Sequence, residues 1–163
     1  MKETVVIATH NVGKMREFEA YLSPLGVQFV SSAELNIPSP IENGTTFLEN
    51  ARIKAQAVYQ ATNFCTIADD SGLCVAALNG DPGVYTADWA GGDKRDWPAL
   101  WRKLEIMLEG KDTACEFHCC LVMITKEGKE IVTHDVAPGR LVFPARGKET
   151  LGLDPIFSPI GFD

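Results

Sequence analysis

The chain has 163 residues, 45% of them hydrophobic, and a formal charge of −7. That length predicts one domain able to bury roughly 70% of its unfolded surface, and the acidic balance excludes a general nucleic-acid binder, which needs a basic face. No apolar stretch approaches the ~20 residues of a membrane span, and a first apolar run of about five residues is too short for a signal peptide, so a cytoplasmic protein without a membrane partner is expected.

Residues 3–8 read as a buried strand that stops at Thr9-His10-Asn11. A helix over 12–22 follows, with Met15, Phe18 and Leu22 on one face. Helix N-termini carry unpaired N–H groups and a partial positive charge. Asn11 or Thr9 is placed to cap this one, and Lys14 adds a full charge to its first turn. Such a strand, turn and helix suit a phosphate group. It is not a Walker A loop, because the second glycine and the Ser/Thr after the lysine are missing. A capped surface helix with an exposed lysine is the plainer alternative. Ser23-Pro24-Leu25-Gly26 ends the helix, residues 27–30 form a second short strand, and 36–44 is a loop.

Thr46-Phe47-Leu48-Glu49 has the capping-box pattern, which makes Glu49 a structural cap rather than a catalyst. The helix it starts runs to about Ala61, with Phe47, Ala51, Ala55 and Val58 on one face. Lys54 falls on or beside that face, where a lysine either snorkels to solvent, the commoner outcome, or meets an anion. Residues 64–68 read as a third strand ending in Asp69-Asp70-Ser71-Gly72. Ligands of α/β sheets bind at the carboxyl ends of strands. Two adjacent carboxylates there suit Mg²⁺, which takes one or two carboxylates, waters and phosphate oxygens. One of them is suited to orient an attacking water. A polar turn closing the strand is the alternative.

A turn at 81–83 and a helix over 94–109 come next; its Trp97 and Trp101 are core or subunit contacts. Strands at 117–125 and 130–134 are joined by Lys126-Glu127-Gly128-Lys129 as a hairpin. The five cysteines include the adjacent pair Cys119 and Cys120. Strand alternation sends these two to opposite faces, which fits buried reduced thiols better than disulfides or, with His118, a zinc site. The stretch 154–163 carries four large apolar residues, and either packs inside or precedes further residues. Early alternation of strands and helices followed by a hairpin predicts an α/β protein with a mixed sheet.

Seven segments then match one family in order: T-H-N-V-G-K-M-R-E (Thr9–Glu17), E-N-G-T-T-F-L-E-N-A-R-I-K-A (Glu42–Ala55), I-A-D-D-S-G-L (Ile67–Leu73), G-D-P-G-V-Y-T-A (Gly80–Ala87), F-H-C-C-L-V (Phe117–Val122), G-R-L-V-F-P-A-R-G (Gly139–Gly147) and D-P-I-F (Asp154–Phe157). On these the chain resembles the noncanonical purine nucleoside triphosphate pyrophosphatases, the Ham1 or inosine triphosphatase family. The resemblance implies a single domain over 1–163 with an elongated mixed sheet flanked by helices, a central nucleotide-binding cleft and a homodimer. It implies Mg²⁺-dependent hydrolysis of the purine nucleoside triphosphates ITP, dITP or XTP to a monophosphate and pyrophosphate. Carried over by position, Thr9, Asn11, Lys14 and Lys54 would hold the triphosphate. Glu42 and Asp70 would bind the metal, Asp70 with Asp69 would activate water, Ser71 would lie near the nucleotide and Asp154 would hydrogen-bond the purine.

The chain also departs from that family. Leu151 and Leu153 stand where aromatic residues are usual, one of which stacks on the base, and Asp88 stands where bacterial relatives often carry Arg. The terminal Ser-His-Arg segment, and with it the family's C-terminal helix, is not in this sequence; truncation, a tail beyond it and divergence are all open. Base selectivity is therefore expected to be altered. The alternative function is a catalytically impaired nucleotide-binding or scaffold protein of the same fold.

Overall fold

Strand β1 (Thr4–Ile7) lies between two parallel neighbours, β2 (Gln28–Ser31) and β3 (Cys65–Val75). In this computed structural model residues 3–147 and 152–162 are described. Successive side chains of a strand point to opposite faces, and β1 divides its apolar residues accordingly. Val6 and Ala8 join Ala68 of β3 and Ala51, Ala55 and Val58 of helix α2 (Phe47–Thr62) in one core cluster. Val5 and Ile7 join Cys65 in another, against Met15 and Phe18 of α1 (Val12–Leu22). The sheet continues through β4 (Ala114–Ile124) and β5 (Glu130–Leu141) to β6 (Phe157–Pro159), in the order β2-β1-β3-β4-β5-β6. β6 pairs antiparallel with β5, so the sheet is mixed.

The chain divides into two compact units. The first comprises Met1–Asp70 and Cys120–His134 and holds the two clusters just described. The second comprises Ser71–Cys119 and Asp135–Asp163. Its core gathers Leu73 and Val75 of β3, Leu100 and Leu104 of a helix over Trp97–Met107, Leu141 of β5 and Ile156. The four-residue helix Thr86–Trp89 precedes that longer one, so the two are α3 and α4. Trp97 and Trp101 are core contacts: both pack on this cluster, and the Trp101 indole N–H donates to the Gly152 carbonyl at 2.9 Å.

Local chemistry explains the helix boundaries. The Asn11 side chain accepts from the Gly13 and Lys14 amides at the start of α1, and Gly26 adopts φ +70° just after it. Thr46 and Glu49 form both halves of the capping box on α2. Asp96 accepts from the Ala99 amide, so α4 begins at Trp97 rather than at residue 94, where a separate 3-10 turn (Gly92–Lys94) sits.

Three features differ from expectation. β3 does not end before Asp69; it runs on to Val75, because Leu73 and Val75 are wholly buried and anchor the second core. β4 and β5 are longer than expected on the sides away from their hairpin, whose turn is closed by Thr125 N–H to the Lys129 carbonyl at 2.9 Å. β6 was not expected at all. It packs where Gly139 lets it approach: a Cβ there would stand 2.5 Å from the Ser158 carbonyl oxygen and 2.6 Å from the Phe157 ring. Of the apolar residues near the end, Ile156 is buried and Phe157 packs beside Phe117, while Ile160 and Phe162 are exposed.

None of the five cysteines forms a disulfide, and burial pushes the Cys115 thiol up to about 12. Replacing Thr46 with Ala removes one arm of the α2 capping box, and we expect a loss of about 1 kcal/mol, read as a lower urea midpoint with an unchanged slope.

Candidate active site

The continuation of β3 through the acidic pair sets the geometry of the site. Asp69 and Asp70 are consecutive strand residues and face opposite sides of the sheet. Asp69 shares its side with Ile67 and Cys65, the α1 side. Its Oδ2 accepts from the Lys14 ammonium at 2.6 Å. Asp70 shares its side with Ala68, the α2 side. Its Oδ1 lies 3.4 Å from the Lys54 ammonium. The two carboxylates are thus not a side-by-side pair closing a turn, and a single cation is not offered both of them by adjacency. One residue's difference in register assigns each to a different helix.

Lys54 does not snorkel. Its side chain is only 13% exposed, and the ammonium sits 2.7 Å from Oε2 of Glu42 and 3.4 Å from Asp70. Burial alone disfavours its charge, but Asp70 and Glu42 outweigh that and raise its pKa above the ordinary lysine value. Lys54 is therefore fully charged at neutral pH. Asp70 feels the reverse balance. Burial raises its carboxyl above the usual range, Lys54 pulls it down, and Glu42 pushes it up again. The ammonium marks a point within reach of two oxygen-bearing carboxylates from separate segments, the loop before α2 and strand β3.

The turn after β1 is built from its own side chains. The Asn11 amide N–H donates to Thr9 Oγ1 at 3.1 Å, and the Thr9 carbonyl accepts from the buried Ser32 hydroxyl at 3.1 Å. His10 lies 2.8 Å, through Nε2, from the Ile37 carbonyl and ties this turn to the loop that leads to Glu42. Thr9 is buried, Asn11 is exposed, and Lys14 is partly buried. Glu49 takes no part: its carboxylate accepts from the Thr45 and Thr46 amides, as a cap should.

Thr9, Asn11, Lys14, Glu42, Lys54, Asp69 and Asp70 all belong to the first unit, and Ser71 and Asp154 to the second. Ser71 is half-buried in β3, and Asp154 is exposed at the start of a 3-10 turn over Asp154–Ile156. Asp88 is exposed on α3. Leu153 is 6% exposed and belongs to the second core, so its side chain packs inward and offers no face to a base. Leu151 lies outside the described residues.

Asn50 went unnoticed in the sequence. It is 4% exposed on the inner face of α2, where its Oδ1 accepts from the Gly44 amide at 2.8 Å and its Nδ2 lies 3.4 Å from Asp70 Oδ2. A polar residue on the apolar stripe that holds Phe47 and Ala51 is the signal that was available.

The chain is similar to known proteins over nearly its whole length. The profile of the Ham1 family matches residues 5–162. A dITP/XTP pyrophosphatase from Ruegeria pomeroyi is 45% identical over 166 aligned residues, covering 99% of this chain and 81% of its own. One from Brucella melitensis biotype 1 is 41% identical, covering 99% and 77%. Among solved structures, a HAM1 protein from Coxiella burnetii superposes with a TM-score of 0.84 at 34% identity, covering 95% of this chain and 81% of its own. The Staphylococcus aureus Ham1 protein gives 0.82 at 34% identity, covering 95% and 80%.

Two measurements check this geometry. With Lys54 replaced by Met, Asp70 loses the cation that holds its carboxyl down and titrates higher than in the parent, which carboxyl-detected NMR will record; an unmoved midpoint contradicts the pairing. Leu153→Trp overfills the second core and is expected to cost about 1–3 kcal/mol in urea unfolding.

Proposed function

Because the chain belongs to the Ham1 family, we propose that it hydrolyses noncanonical purine nucleoside triphosphates such as dITP and XTP to the monophosphate and pyrophosphate, with Mg²⁺. It is a nucleoside triphosphate pyrophosphatase, as its curated relatives are named. The observation that carries the reading is Lys54, a largely buried ammonium held between Glu42 and Asp70, together with a capped strand-turn-helix that bears a second lysine.

Glu42 and Asp70 are oxygen donors of the kind a hard divalent cation takes, although among the described residues no group of three or more metal-ligating side chains is gathered at one place. Glu42 and Asp70 both bring carboxylate oxygens within reach of one point, the place where the Lys54 ammonium now sits. Such oxygen donors are what Mg²⁺ takes, together with waters and phosphate oxygens. Glu42 and Asp70 would hold the ion, which supplies charge neutralisation on the phosphates.

The remaining chemistry belongs to the chain. Thr9 and Asn11 shape the turn at the positive end of α1, and Lys14 and Lys54 bring full charges to a triphosphate. Asp70 takes a proton from the attacking water. The water oxygen bonds to the α-phosphorus, the bond from that phosphorus to the bridging oxygen breaks, and pyrophosphate leaves with the electron pair. Asp69 acts through Lys14, which it holds at 2.6 Å. Ser71, next to Asp70 in β3, and Asp154 are assigned to the nucleoside end.

With Leu153 occupied in the second core, Leu151 is the departure that bears on base selectivity. A base that stacks on no aromatic side chain at that position forgoes about 1–3 kcal/mol, which supports weaker or broader base preference. We also place the protein in the cytoplasm as a homodimer with no nucleic-acid partner. The net charge of −7 supports the last point. The exposed Ile131, Val132 and Val136 of β5 support the dimer. No helix among the described residues is long and apolar enough to cross a membrane.

The test is pyrophosphate release from dITP, XTP, dGTP and ATP with Mg²⁺. We expect turnover of the first two, and Asp70→Asn to reduce it by about a thousandfold while the circular dichroism spectrum is unchanged. No pyrophosphate from any of the four, with folded protein and saturating metal, refutes the reading. So does a parental rate in Asp70→Asn.

A further inference from the structure

We infer that Asn50 is a positioning residue, whose one buried amide sets the separation of Glu42 and Asp70 by binding the loop of the first and the carboxylate of the second. The inference rests on the assignment of Glu42 and Asp70 above and extends it to a residue that binds the loop of one and the carboxylate of the other.

The amide has two ends with different chemistry, and each has one suitable partner. The carbonyl oxygen accepts from the Gly44 N–H at 2.8 Å, two residues after Glu42. The NH₂ group lies 3.4 Å from Asp70 Oδ2, the oxygen not turned to Lys54. A flip of the amide would put oxygen against carboxylate and NH₂ against an N–H donor, so the orientation is determined from both ends. Asn50 is 4% exposed and lies on α2 between Phe47 and Ala51, both buried, so the helix that carries it does not give way.

The loop is pressed against this amide. A Cβ on Gly44 would stand 2.7 Å from Asn50 Oδ1 and 2.6 Å from the Glu49 Cβ, so only glycine permits the approach. The next two amides, of Thr45 and Thr46, are held by the Glu49 carboxylate. Three consecutive N–H groups after Glu42 are thus bound by side chains of α2. Asn50 alone among these bonds reaches on to Asp70. Without it, the loop stays capped by Glu49 and Asp70 still meets Glu42 through the Lys54 ammonium, but the second tie, from Asp70 to the Gly44 amide, is lost.

Two substitutions separate this role from simple support of the loop. Asn50→Asp keeps an acceptor for Gly44 N–H and replaces the donor to Asp70 with a second anion; Asn50→Ala removes both contacts and adds no charge. We expect kcat for dITP to fall about ten- to a hundredfold in each, as for partners that orient metal ligands, with KM changed much less. In Asn50→Ala, Mn²⁺ affinity measured by calorimetry without nucleotide is expected to fall by about tenfold. Parental kcat in Asn50→Asp assigns the residue to loop support and overturns the inference. Should that variant not fold, Asn50→Ala decides: parental kcat and parental Mn²⁺ affinity overturn it. If the parent itself releases no pyrophosphate, the proposed function fails alone, and the Mn²⁺ comparison still tests Asn50.

Discussion

An ammonium drawn largely out of water needs an anion, and Lys54 has two. Lys54 is held inside by Glu42 and Asp70. Taking the charge from water is costly, and close opposite charges must repay it. The neighbouring structure follows from this demand. Glu42 lies on a loop that has no regular structure of its own, and it is kept near the sheet by Lys54 and by the α2 side chains that bind the following amides. Asp70 must point to the α2 side, which fixes the register of β3 and turns Asp69 to α1 and Lys14. Two ion pairs on opposite faces of one strand are the result of a period of two.

Much of the first unit was legible in the sequence, because its signals are local. Asn11, Thr46 and Glu49 cap where their residue types and spacing say they should, and the apolar residues of α1 and α2 fall on the expected faces. The continuation of β3 past Ala68 was not legible, for a physical reason. Asp-Asp-Ser-Gly has the composition of a turn, but each carboxylate is neutralised by a lysine far away in sequence, so the strand is free to continue to Leu73 and Val75. Likewise β6 has three residues and two prolines nearby, and no local preference favours it; it exists because Gly139 and Leu141 on another strand accept it.

The same distinction applies to the site. Lys14 was marked by its place in a helix start, and Lys54 by standing on an apolar face. Asn50 carries the same mark as Lys54, a polar side chain on an apolar face, but its partner lies 20 positions away in sequence and no local pattern names it. Leu153 shows the opposite error. By position it replaces a ring, yet it packs between strand and helix residues of the second core, and its role there is volume. A substitution in a motif is thus informative about the ligand only after its side chain is located.

The two capped helix starts of the first unit have opposite electrical character. At α1 no acidic residue stands in the first turn and Lys14 does. At α2 the first turn carries Glu49, whose carboxylate fills the amides of Thr45 and Thr46. The positive end of a helix dipole is therefore reinforced at one start and cancelled at the other. The two helix starts of one unit thus present different fields to an anion, although both are closed by the same kind of side-chain cap.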